Sequence, residues 1–150
     1  MPPAANRTRL EQAAETCAAR GVQLTALRRD VLRLVLEADG AVTAYQLLDR
    51  LKQVRAGAVP PTVYRALDFL LTQGLIHRIE RLNAFVACPA SNHQHAAQFL
   101  ICRQCGTVVE LDDTMVARAL DEAARHRGFH PLHAVVEIEG LCAACAQGAT

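Results

Sequence analysis

The stretch PPTVYRALDFLL, residues 60–71, decides the fold of the first half of the chain. Its apolar residues recur at the spacing of one helix face, and they are Val63, Ala66, Leu67 and Leu70. The pattern predicts a helix that opens at Thr62 and ends at Gly74. Tyr64 and Arg65 then lie with Thr62 in the exposed first turn of that helix.

A shorter amphipathic helix is predicted immediately before this stretch. Thr43 is a suitable N-cap for it, Tyr45 falls on its polar side, and its apolar side carries Ala44, Leu47, Leu48 and Leu51. Further upstream, helices are predicted over residues 9–20 and 25–40. Two short helices joined by a break at residues 57–61 form the pattern of a helix-turn-helix, which binds DNA. A role of the same pattern in protein contacts stays open.

A hairpin is predicted to follow the two helices. Residues 75–88 contain two strand-like runs on either side of Asn83, a residue that tolerates the left-handed conformation of tight turns. A two-residue turn ending at Asn83 places His77 directly opposite Cys88. The hairpin is therefore predicted to be a wing that carries two potential metal ligands.

Four cysteines in two matched pairs mark the second half of the chain: Cys102, Cys105, Cys142 and Cys145. Each Cys-x-x-Cys follows a strand-like apolar run, and Gly106 allows the backbone to turn after the first pair. Two such pairs supply the sulfurs of a closed tetrahedral zinc site. A redox dithiol is the alternative for a single pair, but two matched pairs in a small chain favour structural zinc.

The residues between the two pairs predict one more helix. Asp112 and Asp113 are suitable caps, Gly128 is a suitable end, and the inner face is predicted to carry Val116, Ala119, Leu120 and Ala123. The fold class is therefore α+β, with an N-terminal winged helix-turn-helix domain and a C-terminal α/β domain that holds the four-cysteine zinc site. The predicted boundaries are 1–88, with the wing at about 75–88, and 89–150.

Charge and metal-ligating residues divide between the two halves in the same way. Of 150 residues, 51% are hydrophobic and 21% charged, which excludes a disordered charged tail. Residues 1–85 hold 12 of the 16 basic and 8 of the 15 acidic residues, a balance of +4, and residues 86–150 have a balance of −3. Five of the six cysteines and five of the six histidines follow residue 85. The first half suits a polyanion and the second a soft cation.

Several classes of protein are disfavoured by what the sequence lacks. No apolar stretch is long enough to cross a bilayer, and the first residues do not resemble a secretory signal, so we expect a cytoplasmic protein without a membrane partner. Thiols stay reduced there, which favours metal binding over disulfides. Neither a nucleophile–base pair nor a pair of acid–base carboxylates indicates an enzyme.

A second group of metal-ligating residues extends from the wing to just beyond the first cysteine pair. Its members are His77, Cys88, His93, His95 and Glu110. One thiolate, two imidazoles and one carboxylate make a suitable zinc shell, and the thiolate disfavours magnesium and calcium. Exposed polar residues are the alternative reading for His93, His95 and Glu110.

In combination, these features resemble the ferric uptake regulator (Fur) family. They are residues 60–67, a wing ending in Cys88, the His-x-His at 93–95 and the two cysteine pairs, and GLCAAC at 140–145 is typical of zinc-sensing members. The resemblance covers residues 17–145. It implies a homodimeric, zinc-dependent repressor of zinc-uptake genes that binds palindromic operator DNA through its winged helix and dimerises through its C-terminal domain.

The resemblance also implies two zinc ions per subunit. The structural zinc belongs to the four paired cysteines, and the regulatory zinc belongs to His77, Cys88, His95 and Glu110. Tyr45 and Arg65 correspond to the residues that read bases, and Thr62 and Tyr64 stand beside Arg65 in the predicted DNA-binding turn.

This sequence differs from the iron-sensing members of the family in a way that favours zinc. Those members carry His-His-Asp-His immediately before the first cysteine pair, whereas here His93-Gln94-His95 is followed by six residues before Cys102. An iron, manganese or peroxide sensor of the same family remains an alternative. A cytosolic zinc carrier or a dithiol redox protein is the alternative from another class. A role for His93 or His126 in a further metal site stays open.

Overall fold

The structure, a computed structural model, describes residues 3–88 (without the side chain of residue 3), 96–132 and 134–148. The chain forms two compact units, Met1–Ser91 and Asn92–Thr150. Because residues 89–95 lie outside the described residues, the boundary predicted between residues 88 and 89 stays a prediction. The α+β fold class with a winged helix is confirmed.

Over residues 3–88, the first unit consists of four α-helices and a small antiparallel sheet. In chain order its elements are α1 (Pro3–Ala19), α2 (Ala26–Glu37), β1 (Val42–Thr43), α3 (Ala44–Val54), α4 (Pro60–Thr72), β2 (Ile76–Ile79) and β3 (Ala84–Ala87). The sheet order is β1-β3-β2. Side chains of every helix and of the sheet share one core, and fully buried members include Cys17, Val31, Leu47, Leu51, Val63, Leu67, Leu70 and Ile76.

The helix-turn-helix is confirmed, and so are the inward faces of its two helices. Leu47 and Leu51 of α3 and Leu67 and Leu70 of α4 are each 1% exposed or less. The start of α4 was predicted two residues too late, because Pro60 opens the helix and Thr62 lies inside its first turn. Proline suits that place, since the first turn has no intrahelical partner for its N–H groups.

The start of α3 is fixed by a reciprocal pair of hydrogen bonds. The Gln46 N–H donates to the Thr43 hydroxyl at 3.2 Å, and the Thr43 N–H donates to the Gln46 side-chain oxygen at 3.0 Å. These two bonds form a capping box and satisfy two N–H donors that have no acceptor within the helix. The predicted cap at Thr43 is confirmed.

Replacing Thr43 with alanine is expected to lower the free energy of unfolding by about 1 kcal/mol, because the cap is lost. Urea unfolding followed by circular dichroism measures this change. Thr72→Ala serves as the control, since its hydroxyl donates to the Asp68 carbonyl at the exposed end of α4 and caps no helix start; it should change stability by less than about 0.5 kcal/mol. Equal effects of the two changes would contradict the role of the cap.

The wing exists, but its register differs from the prediction. His77 pairs with Val86, not with Cys88. The turn is longer than two residues because a 3₁₀ turn over Glu80–Leu82 precedes Asn83, which alone is left-handed with φ 46°. A two-residue turn also requires a positive φ at Leu82, where a bulky side chain disfavours it.

In its described residues, the second unit contains a mixed three-stranded sheet and two helices. Its elements are β4 (Ala97–Cys102), β5 (Val108–Glu110), α5 (Thr114–Arg125), β6 (Val135–Gly140) and α6 (Ala143–Gln147). In the sheet, β4 pairs antiparallel with β5 and parallel with β6. The predicted cap of α5 is confirmed at Asp113, whose carboxylate accepts from the Met115 and Val116 N–H groups.

The predicted inner face of α5 is wrong. The buried residue of this helix is Ala117, whereas Ala119, Leu120 and Ala123 are exposed. The apolar spacing shows that a stripe exists, but it does not show what covers that stripe. Within the described part of the second unit, the buried side chains are Ala97, Gln98, Phe99, Ile101, Cys102 and Ala117. This unit therefore has a thin core of its own.

Candidate functional site

The first turn of α4 presents polar side chains to solvent, as predicted. Tyr64 is 53% exposed, Arg65 is exposed and Thr62 is half-buried. Tyr45, in the first turn of α3, is 80% exposed. Two such tyrosines on the surface of an ordered helix pair contribute nothing to the core, and their rings and hydroxyls are available to a ligand. A guanidinium beside them suits phosphates and guanine edges.

Contacts behind these helices hold them in a fixed arrangement. The Arg28 guanidinium of α2 lies 3.7 Å from the centre of the Phe69 ring of α4. Arg55, which follows α3, donates to the Asp30 carboxylate of α2 at 2.7 Å. Because α2 thus contacts both partner helices through charged groups, the exposed turns of α3 and α4 keep their relative position.

The four paired cysteines converge on one point, as their spacing predicts. The sulfurs of Cys102, Cys105, Cys142 and Cys145 all lie within 4.8 Å of one another. The Cys105 and Cys142 sulfurs are 3.8 Å apart. A tetrahedral site with zinc–sulfur bonds of about 2.3 Å has sulfur–sulfur edges of about 3.8 Å, so these residues fit zinc. Among the described residues this is the one group of three or more potential ligands at such distances.

Backbone hydrogen bonds shape the two cysteine turns and join them. Gly106 is left-handed with φ +74°, and its N–H donates to the Cys102 carbonyl at 3.0 Å. The Arg103 N–H donates to the Gly140 carbonyl at 2.9 Å, which connects the first turn to the end of β6. The Cys142 N–H donates to the Cys102 sulfur at 3.4 Å. These bonds bring the sulfurs together before any metal is considered.

The same contacts separate the pKa values of the thiols. Backbone N–H groups of Cys105 and Cys142 stabilise the Cys102 thiolate and lower its pKa to about 6. The Thr107 hydroxyl, 3.1 Å from the Cys105 sulfur, lowers the pKa of Cys105. A hydrogen bond to Cys142 and burial raise the pKa of Cys145 to about 12. Cys102 and Cys105 therefore ionise more readily than free thiols, and thiolates are the metal-binding form.

The second predicted ligand group is distributed over both units. His77 on β2 and Cys88 after β3 are buried in the first unit, 8% and 7% exposed respectively. Glu110 ends β5 of the second unit. His95 and His93 lie outside the described residues, so the assembly of this group stays a prediction. Within the first unit, strand alternation places His77 and Cys88 on the same side of the hairpin. They are diagonal neighbours, for which the Cα–Cα distance is typically about 7–8 Å.

The observed register differs from the predicted one but still places His77 and Cys88 on the same side of the hairpin. The Cys88 N–H donates to the Leu75 carbonyl at 3.1 Å, which continues the β2–β3 ladder beyond the last strand residue. A shift of two residues preserves the side of every side chain, whereas a shift of one reverses it. The prediction of direct opposition is wrong, but the shared side follows from the observed pairing.

The second unit exposes an apolar surface that sequence reasoning assigned to its core. A groove of about 830 Å³ runs along α5 and β6, and its lining includes Leu120, Phe129, Leu132 and Val135. Leu132 is fully exposed and Phe129 is 67% exposed. Charged residues of α5, such as Arg118 and Asp121, line the same groove, and exposed apolar side chains with a polar rim are a feature of interaction sites. The apolar spacing of α5 predicts the stripe, but no local signal in the sequence shows that the stripe stays exposed within one chain.

A family model, curated sequences and solved structures all show similarity of the chain to ferric and zinc uptake regulators. The family model described as "Ferric uptake regulator family" matches residues 19–139. The chain is 45% identical over 139 residues to the zinc uptake regulation protein of Escherichia coli (strain K12), covering 92% of this chain and 81% of that protein. Among solved structures, a zinc uptake regulator in complex with zinc and DNA is similar, with TM-score 0.87 and 44% identity over 95% of this chain and 96% of that chain. The crystal structure of holo XcZur has TM-score 0.82 and 45% identity, covering 95% and 99%.

Proposed function

The chain belongs to the ferric uptake regulator family, and on that premise we propose that it is a zinc-responsive transcriptional repressor. It binds palindromic operator DNA as a homodimer and represses genes of zinc uptake. The observation that carries this function is the similarity over nearly the whole chain to a zinc uptake regulator solved with zinc and DNA. Members of this family are transcription regulators, and we propose that this chain likewise has no enzymatic activity.

Two zinc ions per subunit are part of the proposal. The four-cysteine cluster holds the structural ion, which is supported by its converging sulfurs and by the lowered pKa values of Cys102 and Cys105. His77, Cys88, His95 and Glu110 hold the regulatory ion, which is supported by the resemblance and by the burial of His77 and Cys88 on one side of the wing. When bound, zinc supplies a strong, redox-inert link between thiolate, imidazole and carboxylate groups.

The regulatory ligands come from the DNA-binding unit and from the second unit, and this division supports a role in control. A dimer matches a palindrome only when both reading helices have the spacing of the two half-sites. A ligand set shared by the two units restricts the conformers of the chain when it is filled. Apparent DNA affinity then rises with the fraction of competent molecules.

Base reading is assigned to Arg65 and Tyr45, with Thr62 and Tyr64 beside them. The exposure of Tyr45, Tyr64 and Arg65 supports this assignment, since base edges are reached only by side chains that leave the protein surface. The excess of basic residues in the first 85 positions supplies phosphate contacts, which position the protein without reading sequence.

The homodimer is formed by the second unit. Its thin core and the apolar groove along α5 and β6 support this, because a second copy would cover side chains that one copy leaves in water. Within the described residues, no helix is long and apolar enough to cross a membrane. We propose the cytoplasm as the location.

Arg65→Ala is expected to weaken operator binding by about 1–3 kcal/mol and to reduce discrimination against a mutated half-site. The reason is the loss of a bidentate donor at base edges. Fluorescence anisotropy with matched and mutated operators measures both effects. Arg127→Ala, an exposed arginine that follows α5, is the control and should leave discrimination unchanged. An unchanged discrimination in the Arg65 variant would contradict the assignment.

The decisive test of the function is DNA binding at buffered free metal. With a palindromic promoter of a zinc-uptake gene, we expect tight binding when free zinc rises and weak binding when zinc is chelated. Iron and manganese at their own buffered concentrations should not substitute. Activation by iron or manganese alone would identify a different sensor of the family. Operator binding that does not change with the concentration of any of these metals would contradict metal-dependent repression.

A further inference from the structure

One charged hydrogen bond ties α1 to the end of the wing. The Arg9 guanidinium donates from Nη2 to the backbone carbonyl of Cys88 at 2.6 Å, in a partly buried setting. The two residues are 79 positions apart in sequence, and both lie in the first unit. A bond between an ionised donor and a carbonyl is shorter and stronger than a neutral one, and partial burial strengthens it further.

Cys88 is consequently held through both of its backbone polar groups. Its N–H donates to the Leu75 carbonyl at 3.1 Å, and its carbonyl accepts from Arg9. Cys88 lies one position beyond β3, where its N–H extends the ladder by one residue and the bond from Arg9 holds the carbonyl that follows. With both peptide groups held, rotation about its φ and ψ is restricted, and so is the direction in which its sulfur projects.

The surroundings of Arg9 show that α1 also bounds the space next to Cys88. A small cavity of about 30 Å³ is lined by residues of both segments, including Arg9, Gln12, Ala13, Leu75 and Cys88. Ala13 and Leu75 are buried, whereas Arg9 is half-buried. The guanidinium therefore reaches inward along the apolar side of α1 to meet the carbonyl, while the other arginine of the same helix, Arg7, is exposed to solvent.

We infer that Arg9 is a positioning residue of the zinc-sensing site: through the Cys88 carbonyl it fixes the backbone that aims the Cys88 sulfur at the metal. The inference rests on the proposed function, which makes Cys88 a regulatory ligand. Groups outside the ligand shell that orient a ligand change metal affinity by about 10- to 100-fold when removed. Because Arg9 acts on the backbone of one ligand among four, an effect near 10-fold is expected.

The experiment uses Arg9→Gln in the full-length dimer. Glutamine has nearly the helix propensity of arginine, so α1 is preserved, but its shorter, neutral side chain does not reach the carbonyl. Arg7→Gln is the matched control, because Arg7 is exposed on the same helix. Arg9→Lys keeps a cationic donor. Each protein is freed of weakly held zinc, its remaining zinc is counted by mass spectrometry, and the second zinc is then titrated in competition with a chromophoric chelator.

We expect Arg9→Gln to bind the second zinc about 10-fold more weakly, with the first zinc unchanged. Arg9→Lys should recover part of the affinity, and Arg7→Gln all of it. Alkylation of Cys88 without the second zinc, followed by peptide mass spectrometry, should be faster in Arg9→Gln because the sulfur is less restrained. This thiol readout does not depend on DNA binding.

Cys88→Ser distinguishes the positioning role from the proposed function. If Cys88→Ser loses the second zinc while Arg9→Gln binds it like the parent, Cys88 is a ligand and the role of Arg9 is refuted. If Cys88→Ser retains both zinc ions, the ligand assignment itself is refuted. An equal loss of affinity in Arg9→Gln and Arg7→Gln would also refute positioning, since it would indicate a general effect of charge on α1.

Discussion

Cys102→Ser is expected to lose the structural zinc, and with it the folded second unit and the dimer. Cys102 ends β4, is 5% exposed, and its sulfur accepts from the Cys142 N–H. A hydroxyl in its place is a poor zinc ligand because it remains protonated near neutral pH. The free energy of a closed zinc site is folding free energy, of the order of 10–16 kcal/mol in small zinc peptides.

The thin core explains why the second unit cannot compensate for that loss. Its described part buries six side chains, of which Phe99 and Ile101 are the large ones. The stability of a small domain is about 5–15 kcal/mol, so the loss of the zinc-binding free energy is expected to unfold it. Zinc per subunit, thermal unfolding and sedimentation velocity are the measurements, and we expect about one zinc fewer and a monomer or aggregate.

Cys17→Ala is the matched control for Cys102→Ser. Cys17 is fully buried in the first unit and is remote in sequence from both pairs. Its removal creates a small cavity and lowers stability by about 1 kcal/mol, but zinc content and dimerisation should be preserved. A Cys102→Ser protein that is dimeric and melts like the parent would show that the cluster has no structural role.

How much the sequence reveals depends on whether the signal is local. Thr43 and Gln46 are three residues apart, and their capping box and the buried leucines of α3 follow from helix geometry alone. Two Cys-x-x-Cys pairs likewise encode their own tetrahedral geometry. The start of α4 was missed because a threonine was preferred as the cap, although prolines occupy first turns equally well.

The wing register and the face of α5 were missed for different physical reasons. The register depends on the backbone conformation of Leu82 and Asn83, which propensity describes only loosely. The stripe that includes Leu120 depends on what covers it, and a second copy of the chain leaves no local mark in the sequence. The ligand group that includes His77 and Glu110 is dispersed over more than thirty positions, so only the family resemblance assembles it.

Cys88→Ser is expected to yield a folded dimer that no longer responds to zinc. The exchange of sulfur for oxygen keeps the backbone, so the bonds from Arg9 and to Leu75 persist and the wing retains its register. What is lost is the one thiolate of the proposed regulatory shell, whose other proposed ligands are imidazoles and a carboxylate, and thiolate is the soft ligand that selects zinc. We expect zinc-dependent operator affinity to fall by about 100-fold, the change that follows when the competent fraction drops from nearly all molecules to about one in a hundred.

Three measurements distinguish this outcome from a general loss of folding. Anisotropy titrations at buffered free zinc give the operator affinity, metal analysis should give one zinc per subunit in place of two, and sedimentation should still give a dimer. Cys17→Ala is again the control, because it removes another buried thiol of the first unit and should leave the zinc response intact. Since Cys102→Ser is expected to lose the dimer and Cys88→Ser only the response, the two variants assign the two metal sites separately. A Cys88→Ser protein that binds the operator in zinc as tightly as the parent would place the sensing ligand elsewhere in the chain.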